Sequence, residues 1–130
     1  MPFEIREEDN GAKVITRYYG KLTTDDVNQA YAARFTDEDK IKKYKIVWTD
    51  YTDVTSTSIN DVNVMRLAEI YKNASLCNPN VIAVAIMHKD LLYGMGRMWQ
   101  AYLDEISWVT TVVRTSEEAQ EFVDKSLSSD

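Results

Sequence analysis

The chain has 130 residues, a formal charge of −6, 45% hydrophobic and 28% charged residues. That is the size and balance of one soluble domain, 1–130, with a real core. The longest apolar run falls far short of the ~20 residues a bilayer span needs. No basic cluster exceeds Lys42-Lys43, which argues against a nucleic-acid partner.

The start lacks the basic and apolar regions of a signal peptide. The single cysteine, Cys77, has no partner for an internal disulfide. A reducing, cytoplasmic setting is therefore expected. In chain order, residues 3–8 alternate apolar and charged side chains, as a strand with one wet face does. Asn10-Gly11 predicts a tight type I′ hairpin turn. Residues 12–19, rich in Val, Ile, Thr and Tyr, return as an antiparallel second strand that ends at Gly20.

Thr23-x-x-Asp26 predicts an N-terminal cap. Behind it Val27, Ala30 and Tyr31 give an apolar stripe to a first helix reaching about Phe35. Residues 36–40 are a polar break or a further helical turn. A third strand is expected over 44–49, then a hydroxyl-rich loop over 50–58. Ser58-x-x-Asp61 predicts the cap of a second long helix over about 59–74, with Val62, Val64, Met65, Leu67, Ala68, Ile70 and Tyr71 on its apolar side. Pro79 ends that unit.

The run 81–87 is continuously apolar and predicts a strand buried on both faces in the middle of the sheet. Asp90 is a plausible cap for a third long helix over about 91–105. Its stripe is Leu91, Met95, Met98, Trp99, Tyr102 and Ile106. Gly94 and Gly96 inside it predict a close approach of another backbone or a ligand. A last strand over 108–114 and a helix from Ser116, with Phe122, Val123 and Leu127 inward, complete the chain. Residues 128–130 are expected to fray.

The order predicts an α/β fold: a five-stranded, mostly parallel sheet with an N-terminal antiparallel strand and about four helices. Thr16, Arg17, Lys45, Thr49, Thr110 and Thr111 mix polarity on both strand parities, so part of one sheet face is expected to lack a helix cover. Trp48, Trp108 or Tyr18 on such a face would offer a partner surface. A homodimer is the expected oligomer.

Four short patterns recur in the order and spacing of a known family: Tyr19-Gly20-x-Leu22-Thr23, Asp50-x-Thr52-x-Val54, Tyr93-Gly94-x-x-Arg97-Met98 and Arg114-Thr115-x-Glu117-Glu118-Ala119. With them the chain resembles the SpoIIAA-like branch of the STAS domains, and in particular its small single-domain bacterial members. The resemblance implies a non-enzymatic regulatory or protein-interaction module. In the antagonist type a serine is phosphorylated at the start of the helix after the third strand, within an Asp-Ser-Ser-Gly-like motif. The matching stretch here is Thr57-Ser58-Ile59-Asn60, which lacks the aspartate, the second serine and the glycine. The resemblance also implies, as an alternative, a carrier of a lipid-like or other small apolar ligand.

Two candidate sites follow. The first is a phospho-switch or partner loop of Asp50, Asp53, Thr57 and Ser58. The second is an apolar ligand pocket between the sheet and the second and third long helices, drawing on Met65, Tyr71, His88, Tyr93, Met95, Arg97 and Trp99. Met is adaptable and suits a loosely shaped ligand. His88, at the C-terminal edge of the central strand with Asp50 and Asp53 nearby, is the only acid–base candidate. No catalytic, nucleotide or metal motif is present, and no cofactor is expected.

Overall fold

The structure, a computed structural model, describes residues 2–128. β1 (Phe3–Glu8) and β2 (Lys13–Leu22) are antiparallel, with Phe3 opposite Tyr18 and Glu8 opposite Lys13. The Asn10-Gly11 reversal is wider than a type I′ turn. It runs from Asp9 to Ala12 as a 3-10 turn, with Asp9, Asn10 and Gly11 at φ 54°, 57° and 91°. Asp, Asn and Gly are the residues that accept this left-handed region most readily.

The strand end expected at Gly20 is instead a bulge. β2 passes through Gly20 at φ 71°, slips register on either side of it, and ends with Leu22 opposite Thr57. Its partner β3 (Ile46–Thr57) therefore runs well beyond the expected 44–49. The hydroxyl-rich stretch is strand, not loop. Thr52, Thr55 and Thr57 are β-branched and suit an extended backbone, while Tyr51 and Val54 turn into the core.

β4 (Ile82–Ile86) and β5 (Val109–Val113) complete a parallel run, and the sheet order is β1-β2-β3-β4-β5. The sheet is thus five-stranded with one antiparallel edge, as the element order predicts. β3, not β4, is its middle strand. β4 is still covered on both faces: Ala83, Val84, Ala85 and Ile86 are all buried.

Five helices surround the sheet. α1 (Thr24–Phe35) is capped by Thr23, whose hydroxyl accepts from Asp26 N at 3.2 Å. α2 (Glu38–Lys43) is the short turn in the polar break, capped by Asp37. α3 (Asp61–Cys77) starts at an Asn60/Asn63 capping box. α4 (Asp90–Tyr102) has Lys89 at its cap position with no side-chain cap, and Asp90 pairs instead with Arg114 at 2.9 Å. α5 (Ser116–Ser128) is preceded by Thr115, which accepts from Glu118 N. Of the expected fraying end, Ser128 closes α5, and 129–130 lie outside the described residues. Among the described residues no helix is long and apolar enough to cross a membrane.

The two sheet faces differ. α1, α3 and α4 pack on the first, where Val14, Tyr18, Val47, Tyr51 and Met87 join the main core. On the second, α5 seats Ala119 and Val123 against Val84 and Ile86, in a smaller core that Trp48 and Phe122 border. Beyond α5 this face is open, with Glu4, Arg6, Glu8, Lys13, Ile15, Arg17, Trp48 and Asp50 along a shallow groove of ≈ 340 Å³. Trp48 is half-buried there under the Lys13 ammonium, 5.0 Å from its ring centre. Tyr18 and Trp108, the other aromatics considered for that face, are buried.

The buried face of α4 is turned relative to its expected stripe. Leu92, Gly96, Trp99 and Leu103 are buried, while Leu91 is 66% exposed. The cause is Gly96. A Cβ there would lie 2.5 Å from Met87 Sδ and 2.8 Å from Val112 Cγ1, so the helix meets the sheet at its glycine. A Cβ at Gly94 would meet nothing within 4 Å, and Gly94 plays no such part.

Candidate functional site

Between the first sheet face and helices α3 and α4 lies an apolar cleft. Its floor is Thr49 and Tyr51 from β3, Ala85 from its neighbour β4, and Met87 just past the end of β4. Val64, Leu67 and Tyr71 of α3 and Leu92, Met95, Gly96 and Trp99 of α4 form the roof. Val27 and Tyr31 of α1 close one side. The whole envelope is ≈ 530 Å³ including open solvent, of which ≈ 50 Å³ is already clear for a water-sized molecule. That clear space is small: an apolar cavity of ~150 Å³ accommodates benzene. The methionines that line it have rotatable, polarisable side chains able to yield further room.

Aromatic rings make its roof rigid. Tyr71 meets Tyr31, Trp99 and Trp108 with ring centres 5.4, 5.0 and 5.2 Å apart, and Phe35 at 5.1 Å. Tilted and edge-on contacts of this kind add to the burial of the rings themselves. The Trp99 indole N–H, on the cleft wall, is buried without a hydrogen-bond partner among the described residues.

A polar patch adjoins the cleft floor at Thr49. Thr49 on its floor stands in register with Thr16 of β2, and both point inward. Behind them lies Arg34 of α1, only 1% exposed. Its Nε donates to Ala30 O at 3.0 Å, and Nη1 reaches the Thr49 hydroxyl at a long 3.4 Å. The guanidinium sits over the rings of Tyr31 and Phe35, 4.8 and 4.9 Å from their centres. Its Nη2, the Thr16 hydroxyl and the Tyr18 hydroxyl are all buried and have no hydrogen-bond partner among the described residues. No ion pair involves Arg34 among the described residues.

The electrostatics of this patch follow from burial. Desolvation pushes the Tyr18 hydroxyl up to about 12, against the pull of the Arg34 charge. The same cause raises Tyr31 and Tyr51 well above the ordinary phenol value. For Arg34, burial acts to lower the pKa, while Tyr18, Tyr71 and Tyr31 act to raise it, and the net direction is up. At neutral pH these phenols are uncharged. The cation is therefore faced by ring faces and hydroxyl dipoles, not by an anion.

The structure gathers some of the sequence-derived pocket residues and scatters others. Tyr71, Met95 and Trp99 line the cleft. Met65 does not, being 44% exposed on the outer side of α3. Tyr93 lies under the Arg114 guanidinium at 4.1 Å, and its hydroxyl accepts from Arg97 at 3.4 Å on the surface. His88 is exposed past the end of β4, and its carbonyl accepts from Arg114 at 3.0 Å.

The other candidate residues lie along β3 and just past its end, each with its own local bonds. Asp53 holds Arg17 through two bonds of 3.0 and 2.8 Å, and Asp50 accepts from Thr52 N at 2.9 Å. Neither bonds to His88. Thr57 bridges Leu22 O and Ile59 N, both at 3.1 Å. Ser58 is exposed and does not cap α3, because Asn60 does. Among the described residues no group of His, Cys, Asp and Glu is placed to hold a metal ion.

Sequence reasoning missed Arg34, Thr49, Tyr31 and Tyr51. A signal for Arg34 existed: Val27, Ala30, Tyr31, Arg34 and Phe35 share one helical face, so the arginine stands on an apolar stripe. No protein-family model matches the chain, and no curated protein matches it.

Proposed function

We propose that this protein binds a small, largely apolar molecule in the cleft between β3–β4 and α3–α4, as a carrier or a sensor. The observation that carries this reading is the cleft itself: adaptable Met87 in its floor and Met95 in its roof, beside the packed rings of Tyr71 and Trp99. Binding sites of this kind are concave and mostly apolar, with few polar groups. The test is thermal unfolding with and without 1-hexanol. A ligand that binds only the folded state raises the midpoint as its concentration passes Kd. Ala85→Leu, which fills the floor of the cleft, is expected to abolish the shift. An unchanged midpoint in the wild type, or an undiminished shift in Ala85→Leu, would count against the reading.

A second reading is a STAS-type interaction module. Two features support it: the strand order with an antiparallel first strand, and Ser58 lying exposed ahead of the α3 cap, where a phosphate would meet no burial penalty. The open half of the second sheet face would supply the contact between two copies. Sedimentation of Trp48→Asp, Ser58→Asp and Ser58→Ala tests this. Trp48→Asp should give monomers from a dimeric wild type, and only Ser58→Asp should shift the equilibrium as a phosphate would. A monomeric wild type removes the dimer, and equal behaviour of the two Ser58 variants removes the switch.

A further inference from the structure

Four side-chain polar atoms are buried without a partner among the described residues: Thr16 Oγ1, Tyr18 Oη, Arg34 Nη2 and Trp99 Nε1. Three of them form one patch. Thr16 is the register partner of Thr49, and Tyr18, the next inward residue of β2, stacks on Tyr51 at 4.9 Å. Arg34 reaches this patch from α1 through Thr49. A guanidinium carries five N–H donors and never gives up its charge. Here one donor has a good acceptor and one a long contact.

A buried cation without a counter-charge is costly, and so are buried donors without acceptors. Ring faces offset part of that cost. The remainder points to an anion that the folded chain alone does not supply. The patch adjoins the cleft at Thr49, which belongs both to it and to the apolar floor.

We propose that the cleft binds a short aliphatic monocarboxylate, its tail between Met87, Met95 and Trp99 and its carboxylate on Arg34, in place of the long contact to Thr49. This deepens the small-ligand reading and rests on it. A carboxylate matches the planar guanidinium fork with two parallel bonds. Its single charge balances a single cation. A phosphate head, at about −1.5 to −2, would leave negative charge uncompensated in the same dry site. The tail is short because the clear space is only ≈ 50 Å³ before the methionines move. The chain's net charge of −6 gives no general attraction for anions, so a preference for the acid must come from the site.

The experiment is a titration of the full chain with hexanoate and with 1-hexanol at neutral pH, followed through the indole N–H resonance of Trp99 and by calorimetry. Hexanoate is expected to bind at least tenfold more tightly than hexanol. Arg34→Met is expected to erase that preference while hexanol still binds. Thr49→Val, which removes only the hydroxyl that the carboxylate replaces, is expected to keep it. Equal affinity of acid and alcohol in the wild type overturns the carboxylate assignment and leaves the apolar cleft standing. Failure of both to bind overturns the small-ligand reading as well. An acid preference that survives Arg34→Met puts the head elsewhere and also overturns the assignment. Should Arg34→Met not fold, the comparison of acid with alcohol in the wild type decides.

Discussion

Arg17 and Arg34 lie against opposite faces of the same strands, and they are held in opposite ways. Arg17, on the open face, has Asp53 at 2.8 Å and Glu4 at 3.7 Å, and stacks on Tyr19. Its hydrogen bond to Asp53 raises its pKa further above an already high value. Arg34, on the covered face, has no carboxylate partner among the described residues. The paired arginine is thus the one that water would have solvated anyway, and the dry one is left to rings and hydroxyls. Stability alone would favour the reverse arrangement, since exposed pairs contribute little and buried lone charges cost much. That inversion is what marks the covered face as a place to look for a ligand.

The difference can be broken most severely from the covered side. Tyr71→Ala removes the ring on which Tyr31, Phe35, Trp99 and Trp108 converge. Deleting a buried aromatic side chain costs about 3–5 kcal/mol. Denaturant unfolding should show a loss in that range, and a loss under about 1 kcal/mol would mean that the roof is not a packed unit. Next in size is Arg34→Met in the ligand-free protein. Replacing even a buried ion pair by apolar side chains of similar volume is often neutral or stabilising, by up to about 1–4 kcal/mol, and a lone buried charge has no partner to lose. The expected result is therefore a higher denaturation midpoint. A lower one would show that ring stacking and the bond to Ala30 outweigh the desolvation of the charge.

Alkaline titration sharpens the same contrast. Burial raises Tyr18 and Tyr44 to about 12 in the folded chain, from a value near 10 when unfolded. The folded state then keeps protons that the unfolded state releases. The stability owed to these neutral phenols is complete below pH ~10 and is lost as pH rises toward 12. Phenolate absorbance should show an exposed group of tyrosines ionising first and the buried group ionising together with loss of structure. A single smooth titration of all tyrosines would contradict the buried cluster. The smallest effect is expected from Arg17→Ala. Its partners are exposed and water replaces it, so the unfolding midpoint should barely move. A clear drop would mean that the open face is more ordered than its solvent exposure implies.

Much of the fold was legible because it rests on periodicity. The apolar run at 81–87, the alternation at 3–8 and the Thr23 cap each have one physical meaning, and each places an element. The errors came where two meanings compete. Thr52, Thr55 and Thr57 read as loop by their hydroxyls and as strand by their β-branching, and pairing with β2 decided for strand. In α4 the large side chains Leu91 and Met98 suggested the buried stripe. The closest contact with the sheet is made by a residue with no side chain, Gly96, and that turned the face toward Leu92. The site was half legible. Tyr71, Met95 and Trp99 are apolar at helical spacing, which brings them to one cleft. Arg34 was passed over because a charged residue is read as solvated by default, although its place on the apolar stripe of α1 argued otherwise, as its packing on Thr49 shows.

The long β2–β3 ladder has a kinetic consequence. Its first pair, Lys13 with Ile46, joins residues separated by the whole of α1 and α2. Parallel pairing across so much intervening chain requires that a large loop close before any contact repays it. Thr16, Thr49 and Tyr51 come into register only after that closure. Helices can form locally beforehand, but the surface on which Arg34 comes to rest does not exist until the two strands meet. The polar patch beside the cleft is therefore a product of the slowest kind of contact in the molecule. Substitutions in the β2–β3 ladder should retard its formation more than equally destabilising ones in α5.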